Sequence, residues 1–420
     1  MIRAVAGAYR GAFSGLNRQV WLLAFVSLIN RSGTMVLPFL TLFLIEQRGF
    51  TTAEAGQAMA VYGFGAVAGS YLGGWLSDRI EARSIMIGSL VGTALGFFVL
   101  GEVEARSAIL FTMLGLSVVG EMFRPSNAAA VAASADPGRA TQSFSLLRLA
   151  INVGMTLGPA VGGFLALYNY HWLFWIDGIT CLAAAGVLAL YFRPPRPVIS
   201  AHEEGAAAGA GRSPWSDPFL LALLSLMFVL AVVIFQLMST YPLTLRQLYG
   251  FTEDRIGMIL AINTLFVVLF EMVIVHSARN LDPLRLGGWG CLVFCLGFGL
   301  LPFGAGSPFP FAYVAATVAV WSLGEMLSMP MAAGLIANRA DEKSRGRYMG
   351  LYMLSFSLAF VAAPLIGTWV FDRFGPRAVW YACGLTGIPL WLGFHALSRI
   401  ERRSREPKEA PDVSSAAAAG

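Results

Sequence analysis

Long apolar runs separated by short polar breaks repeat along the whole chain. They fall at about 19–44, 53–77, 84–102, 107–134, 141–167, 171–192, 218–247, 254–276, 284–304, 308–338, 344–371 and 377–398. Each is near or above the roughly 20 residues that a helix needs to cross a bilayer. The runs are continuous rather than alternating, which predicts helices and argues against a β-barrel. Links as short as Tyr168–Tyr170 force neighbouring helices to run antiparallel. The pattern predicts an all-α membrane protein with twelve transmembrane helices.

The two halves of the pattern match. Gly49-Phe50-Thr51 with Gly56 corresponds to Gly250-Phe251-Thr252 with Gly257. Gly120-Glu121-Met122 corresponds to Gly324-Glu325-Met326, Pro125 to Pro330, Pro159 to Pro364 and Gly162 to Gly367. Each match is weak alone, but their common order implies two copies of a six-span unit. Such a duplication predicts two six-helix bundles related by a pseudo-two-fold axis along the membrane normal, with a site between them near mid-membrane. The expected organisation is a first bundle over 1–192, a flexible Pro/Gly-rich linker over 193–217, a second bundle over 218–403 and a disordered tail over 404–420.

Composition narrows the class. Of 420 residues, 57% are hydrophobic and 13% charged. Soluble domains carry about 25% charged residues, so a cytosolic enzyme, a disordered chain and a nucleic-acid binder are excluded. The net charge of +5 matters less than its placement. With the termini inside, twenty Lys and Arg residues fall in inner loops and tails and six in outer loops, which orients both termini to the cytoplasm of a plasma (inner) membrane. No cleaved signal peptide is read in the first 18 residues. The four cysteines lie in apolar runs and read as buried small hydrophobes, the four histidines form no group, and neither a metal nor a cofactor is expected.

Seven ionisable residues fall inside spans: Arg31, Glu121, Arg124, Arg148, Asp177, Glu271 and Glu325. Each costs at least about 2.5–3.5 kcal/mol at the bilayer centre, so they should face one another or a watery cavity. Glu121 and Arg124 are three apart and share a helix face. Glu325, the repeat mate of Glu121, has no arginine on its own helix and is the better expected proton carrier, with Glu121 second. Arg31 and Arg124 are expected to bind substrate, since arginine makes planar, bidentate contacts with carboxylates. Asn127, Asn152, Gln236, Tyr241 and Asn263 are the mid-span polar groups expected to line the cavity. Asp177 and Glu271 are read as structural, and Arg148 as able to snorkel to the interface. Phe and Met, at 30 and 16 residues, can form a tolerant apolar pocket.

The loop after the second span reads Gly74-Trp75-Leu76-Ser77-Asp78-Arg79-Ile80-Glu81-Ala82-Arg83. It resembles the first signature of the major facilitator superfamily at Gly74, Asp78, Arg79 and Arg83, with Glu81 in place of the family's glycine. The resemblance covers essentially the whole chain. It implies a gating role for these four residues, with Asp78 latching one half to the other. The fifth span carries Gly154, Gly158, Pro159, Gly162 and Gly163, similar to the family's antiporter motif and also expected in gating. Small residues four apart admit close helix approach, and Pro159 allows bending. Phe123-Arg124-Pro125-Ser126-Asn127, Gly324-Glu325-Met326 with Pro330, and Gly346-Arg347-Tyr348-Met349-Gly350 resemble blocks of the proton-dependent oligopeptide transporters. Of that group's span-one motif only Arg31 is present. The basic residue of drug antiporters early in span four is replaced by Met113.

Two transport readings follow. One is a proton-coupled exporter of small hydrophobic or amphipathic molecules; the other is a proton-coupled importer of peptides or other zwitterions. A membrane enzyme or receptor finds no support, because Walker, zinc and nucleophile-elbow motifs are absent. The expected partners are a small-molecule substrate, protons and the lipid bilayer, with no nucleic acid, and the expected state is a monomer.

Overall fold

A computed structural model describes residues 15–77, 79–136, 139–193, 213–278, 281–339 and 345–405. Among them the chain is helical throughout, with no strand. In the first half α1 (Arg18–Ser32), α2 (Val36–Glu46), α3 (Thr52–Ser77) and α4 (Ala82–Glu102) are followed by α5 (Arg106–Glu121), α6 (Phe123–Ser134), α7 (Ala140–Tyr168) and α8 (His171–Tyr191). In the second half come α9 (Pro218–Ile234), α10 (Thr240–Tyr249), α11 (Glu253–Ala278), α12 (Pro283–Leu300), α13 (Pro310–Arg339), α14 (Arg345–Phe374) and α15 (Pro376–Arg405). Nine helical segments among the described residues are long and apolar enough to cross a membrane. The helices α3, α11 and α15, at 26, 26 and 30 residues, have the length but are not among those nine. Glycine and alanine dilute α3, and charged residues sit at both ends of α15; α11 carries its charged run at its head and is strongly apolar after it.

Three runs expected to be single helices are broken. The first parts between Ser32 and Val36, the fourth at Met122 and the seventh at the 3₁₀ turn Phe235–Met238. Each break lies about four residues before a proline: Pro38, Pro125 and Pro242. A proline nitrogen cannot donate to the carbonyl four residues back, so the helical ladder loses a rung there. The longer helices α7, α13, α14 and α15 also contain proline yet continue through it.

Helix starts follow local capping chemistry. Asn17 accepts from the Gln19 N–H at the head of α1. Thr51 and Glu54 exchange hydrogen bonds at the head of α3, a capping box. Asp217-Pro218 and Asp282-Pro283 open α9 and α12, the aspartate accepting two backbone N–H bonds and the proline filling a position that needs no donor. Residues 214–216 of the expected linker form a 3₁₀ turn, and Asp217 is already the cap of α9. The rest of that linker, 194–212, lies outside the described residues. So does the expected tail beyond Arg405; α15 runs seven residues past the predicted end of its span.

The duplicated turns have one geometry. Gly49 and Gly250 sit at φ +66° and +65°, a left-handed conformation that glycine adopts without a Cβ penalty. In both, the following phenylalanine N–H closes back on a leucine carbonyl, Phe50 on Leu44 and Phe251 on Leu245, each at 3.0 Å. Both phenylalanines are buried.

Within the first half α1 packs on α7 and α8, α3 on α5, and α4 on α8. Within the second half α12 packs on α13 and α15, and α11 on α13. The two most extensive pairings between the halves are α7 along α11 and α3 along α14. The end of the structure that carries residues 193 and 213 is called the linker end below, and the opposite end the far end.

Candidate functional site

The break between α1 and α2 sets up the site. Two N–H groups at the head of α2, Met35 and Val36, donate to the Asp177 carboxylate of α8 at 3.0 and 2.9 Å. An anion at a helix N-terminus meets both the unpaired donors and the dipole. Asp177 is fully buried. The break leaves Arg31 in the last turn of α1. The small residues of α7 seat against this same segment. A Cβ added at Gly154 would lie 2.6 Å from the Arg31 Cβ, and one at Gly158 3.2 Å from the Arg31 carbonyl.

Arg31 faces a cavity of about 450 Å³ between the two halves. Glu121 and Arg124, on either side of the α5–α6 break, share it and pair at 3.3 Å. Arg31 makes no ion pair among the described residues. The wall from the second half is of another kind: Phe235, Met238, Tyr352, Met353, Phe356 and Phe360. Its rings pack edge to face, Phe235 with Phe360 at 4.9 Å and Tyr352 with Phe356 at 5.0 Å between centroids. Tyr62 of α3 reaches Phe360 across the halves at 6.3 Å.

The five polar residues expected to line the cavity are placed elsewhere. Asn127 is buried and donates to Ser27 at 2.9 Å. Gln236 is buried in the α9–α10 break, where it donates to the Ala363 carbonyl at 2.8 Å and accepts from Thr240 at 2.8 Å. Tyr241 is enclosed by Phe298 and Trp380. Asn152 accepts from Thr156 through its carbonyl, off the cavity wall. Asn263 donates to Ser322 and to the Glu325 carboxylate, each at 3.0 Å. Neighbouring helices take up Asn127, Gln236 and Asn263, the Asn152 carbonyl is taken up within α7, and Tyr241 is held by ring contacts.

Glu325 is also off the cavity wall. It stands on α13 against α11, and the charges facing it are Glu271 of α11 and Arg148 of α7. Those two form an ion pair across the halves. Arg148, read from the sequence as able to snorkel, therefore has a partner within the protein.

Of the residues expected to gate, Gly163 and Pro159 meet Gly257 of α11 and bring α7 and α11 together. A Cβ at Gly163 would lie 2.3 Å from the Glu253 carbonyl, and one at Gly257 2.2 Å from the Pro159 carbonyl. Gly162 faces Met35 instead. The matching contact joins α3 to α14, where a Cβ at Gly56 would lie 2.9 Å from the Pro364 carbonyl. Gly74 has open space around it. Arg79 stacks on Trp75 at 3.8 Å, and Arg83 bonds the Ala189 carbonyl, so both serve the first half. Asp78 lies outside the described residues.

Sequence reasoning missed a far-end network. Arg246 of α10 holds Glu46 of α2 at 2.9 Å and Glu253 at 3.2 Å, and Tyr170 donates to Glu253 at 3.0 Å. The available signal was that opposite charges stand just before the two matching Gly-Phe-Thr turns.

At the linker end, Asp217 accepts from Arg339 at 2.7 Å and from Tyr348 at 3.3 Å. Burial pushes its carboxyl up, but the hydrogen bonds and charge of Arg339 and the Leu220 N–H outweigh this and hold it below the ordinary aspartate value. Asp282 is lowered likewise: burial opposes, and Ser398, the Arg285 N–H and Arg402 prevail.

The Major Facilitator Superfamily model matches residues 20–252 and 235–419. An uncharacterised MFS-type transporter, YqjV of Bacillus subtilis (strain 168), is 24% identical over 397 residues, covering 92% of this chain and 94% of the relative. The multidrug resistance protein MdtH of Aeromonas salmonicida (strain A449) is 23% identical over 386 residues, covering 89% and 93%. Among solved structures, the nucleoside transporter NupG superposes with a TM-score of 0.77 at 14% identity, covering 90% of this chain and 98% of that one. A POT family transporter in complex with 5-aminolevulinic acid superposes with a TM-score of 0.77 at 18% identity, covering 92% and 97%.

Proposed function

Because the chain belongs to the major facilitator superfamily, and its relatives are membrane transporters rather than enzymes, we propose that it is a proton-coupled exporter of small hydrophobic or amphipathic molecules working by alternating access. The observation that carries this reading is the cavity between the halves, with charge on one wall and aromatic rings on the other. Relatives named multidrug resistance protein support export. The broken first, fourth and seventh runs each count as one crossing, which gives twelve spans in two six-helix bundles, 1–192 and 218–403, joined by the 193–217 linker. Both termini are cytoplasmic by the distribution of Lys and Arg. The chain acts as a monomer in the plasma (inner) membrane.

In this reading the far end is outside. The Arg246–Glu46 pair and the Gly257–Pro159 and Gly56–Pro364 contacts close it. Ser70 of α3 and Tyr352 of α14, both toward the linker end, line the cavity on the cytoplasmic side. Glu325 carries the proton. A proton there removes a negative charge beside Arg148 and Glu271, and so changes the balance of a contact that joins the halves. Glu121 is bound to Arg124 and stands on the cavity wall, which suits a role at the substrate. Arg79 and Arg83 shape the first half's linker end, and Asp78 is the expected latch beside them.

The alternative, an importer of peptides or other zwitterions, has the structural neighbours in its favour. Proteoliposomes with an imposed inside-acid pH jump separate the two. The exporter reading expects proton movement on adding amphipathic aromatic compounds and none on adding di- and tripeptides. The opposite pattern rejects it.

A further inference from the structure

The cavity is not electrically neutral. Arg31, Arg124 and Glu121 are its charged lining residues, and all three belong to the first half. Glu121 is committed to Arg124 at 3.3 Å, whereas Arg31 makes no ion pair among the described residues. An arginine stays charged at any pH a cell reaches. The pocket therefore keeps one net positive charge, centred on a guanidinium whose fork of N–H donors fits a carboxylate in bidentate fashion. Its last helical turn is fixed by Gly154 and Gly158 of α7 and by the Asp177 cap just beyond it.

Across the cavity the second half offers Phe235, Tyr352, Phe356 and Phe360 with Met238 and Met353, and no charged residue. Flat apolar groups fit against such edge-to-face rings, and methionines tolerate varied shapes. A volume of about 450 Å³ lies within the roughly 300–1,000 Å³ of drug-sized ligand sites. A lipophilic cation would meet a wall of its own sign. A peptide's ammonium would need a free acid, and the acid present is already paired.

We propose that the cavity selects amphipathic organic anions, with the carboxylate held by Arg31 and the flat apolar body laid on the Phe235–Phe356–Phe360 wall. This rests on the transporter reading above but not on its proton coupling. Excess positive charge on the Arg31 side and rings on the other fix the ligand's orientation, head toward the first half and body toward the second. One ligand then touches both halves, which is what a rocking mechanism needs from its cargo.

The test uses the purified full-length protein and a set of aryl carboxylates, led by naphthylacetate, each with its methyl ester and its amine analogue. Binding is read by calorimetry. Wild type is expected to bind each acid about tenfold or more tightly than its ester, the range for hydrogen bonds to a charged group, and the amine more weakly than either. R31Q should bring the acid-to-ester ratio close to one; because the ratio is taken within one preparation, partial loss of folded protein cancels. R31K keeps the charge without the fork and should fall between. E121Q raises the net positive charge and should increase the ratio. The proposal is overturned if no acid in the set binds better than its ester in wild type, if the ratio survives R31Q, or if E121Q lowers it. Should acids bind as expected while a pH gradient drives none of them across proteoliposomes, the exporter reading fails and the selectivity stands. Should a pH gradient drive neutral or cationic compounds while acids gain nothing, the selectivity fails and the exporter reading stands.

Discussion

Equivalent places in the two halves hold different chemistry. Glu121 and Glu325 are mates in the sequence repeat, yet Glu121 stands on the cavity wall paired with Arg124, and Glu325 stands off it, bonded to Asn263. The helix breaks differ in the same way. The one between α1 and α2 is held by the carboxylate of Asp177, and the one between α9 and α10 by the amide of Gln236. The first half keeps its cavity charged, and the second answers with amides and rings. Duplication preserved the turns and the helix crossings, which are backbone features. It left the side chains free to diverge.

The comparison breaks most visibly at the two glutamates. E325Q is expected to reduce proton-driven net flux in proteoliposomes to background while substrate exchange continues. E121Q is expected to keep proton-driven flux and alter which compounds are carried. If E121Q loses coupling and E325Q keeps it, the division of roles proposed for the halves is reversed.

The breaks give the next largest effect. D177A orphans the Met35 and Val36 N–H groups, each costing about 1–3 kcal/mol when buried without a partner. Q236A removes neutral hydrogen bonds, each worth about 0.5–1.5 kcal/mol. Thermal unfolding in detergent should rank D177A well below Q236A. Equal losses would mean that charge has no special part in the first break.

The two helix crossings between the halves should respond alike. G257A places a methyl 2.2 Å from the Pro159 carbonyl, and G56A places one against Thr368 and the Pro364 carbonyl. Overpacking of this kind costs about 1–3 kcal/mol. Spin-label distances across the far end should widen in both variants; widening in one alone would show that only that crossing closes the far end.

The smallest effect is at the linker end. Asp217 has a lowered carboxyl when folded, so its contribution is fully present above its unfolded value of about 3.9 and is lost as pH falls through the folded value. R339Q should lower stability by roughly 0.5–1 kcal/mol at neutral pH, because the pair is partly exposed. The gap between R339Q and wild type should close below about pH 4. A gap that widens in acid would contradict this sign.

Much of the scaffold is legible in residues because its causes are local. Apolar length, turn glycines and Asp-Pro caps act over a few positions, and the matching turns at Gly49 and Gly250 were visible as a repeat before they were visible as geometry. The charged trio of the cavity was legible too, since Arg31, Glu121 and Arg124 are too costly in lipid to be idle. The polar lining was not. An asparagine in a span bonds to a helix or faces water with the same sequence, and Asn127, Gln236 and Asn263 were each taken up by neighbours. The Glu46–Arg246–Glu253 network joins positions some 200 residues apart, and no local pattern ties them.

Sequence alone determined that this chain is helical, membrane-spanning, duplicated and sparing with charge, because hydropathy and backbone turns depend on near neighbours. The tertiary structure decided which prolines break a helix, since Pro38 and Pro242 interrupt theirs where Asp177 and Gln236 hold the broken ends, while Pro159 and Pro364 do not. It also decided which carboxylate meets the cavity and which meets its neighbour across the halves, because a buried charge is settled by whatever partner packing brings within reach.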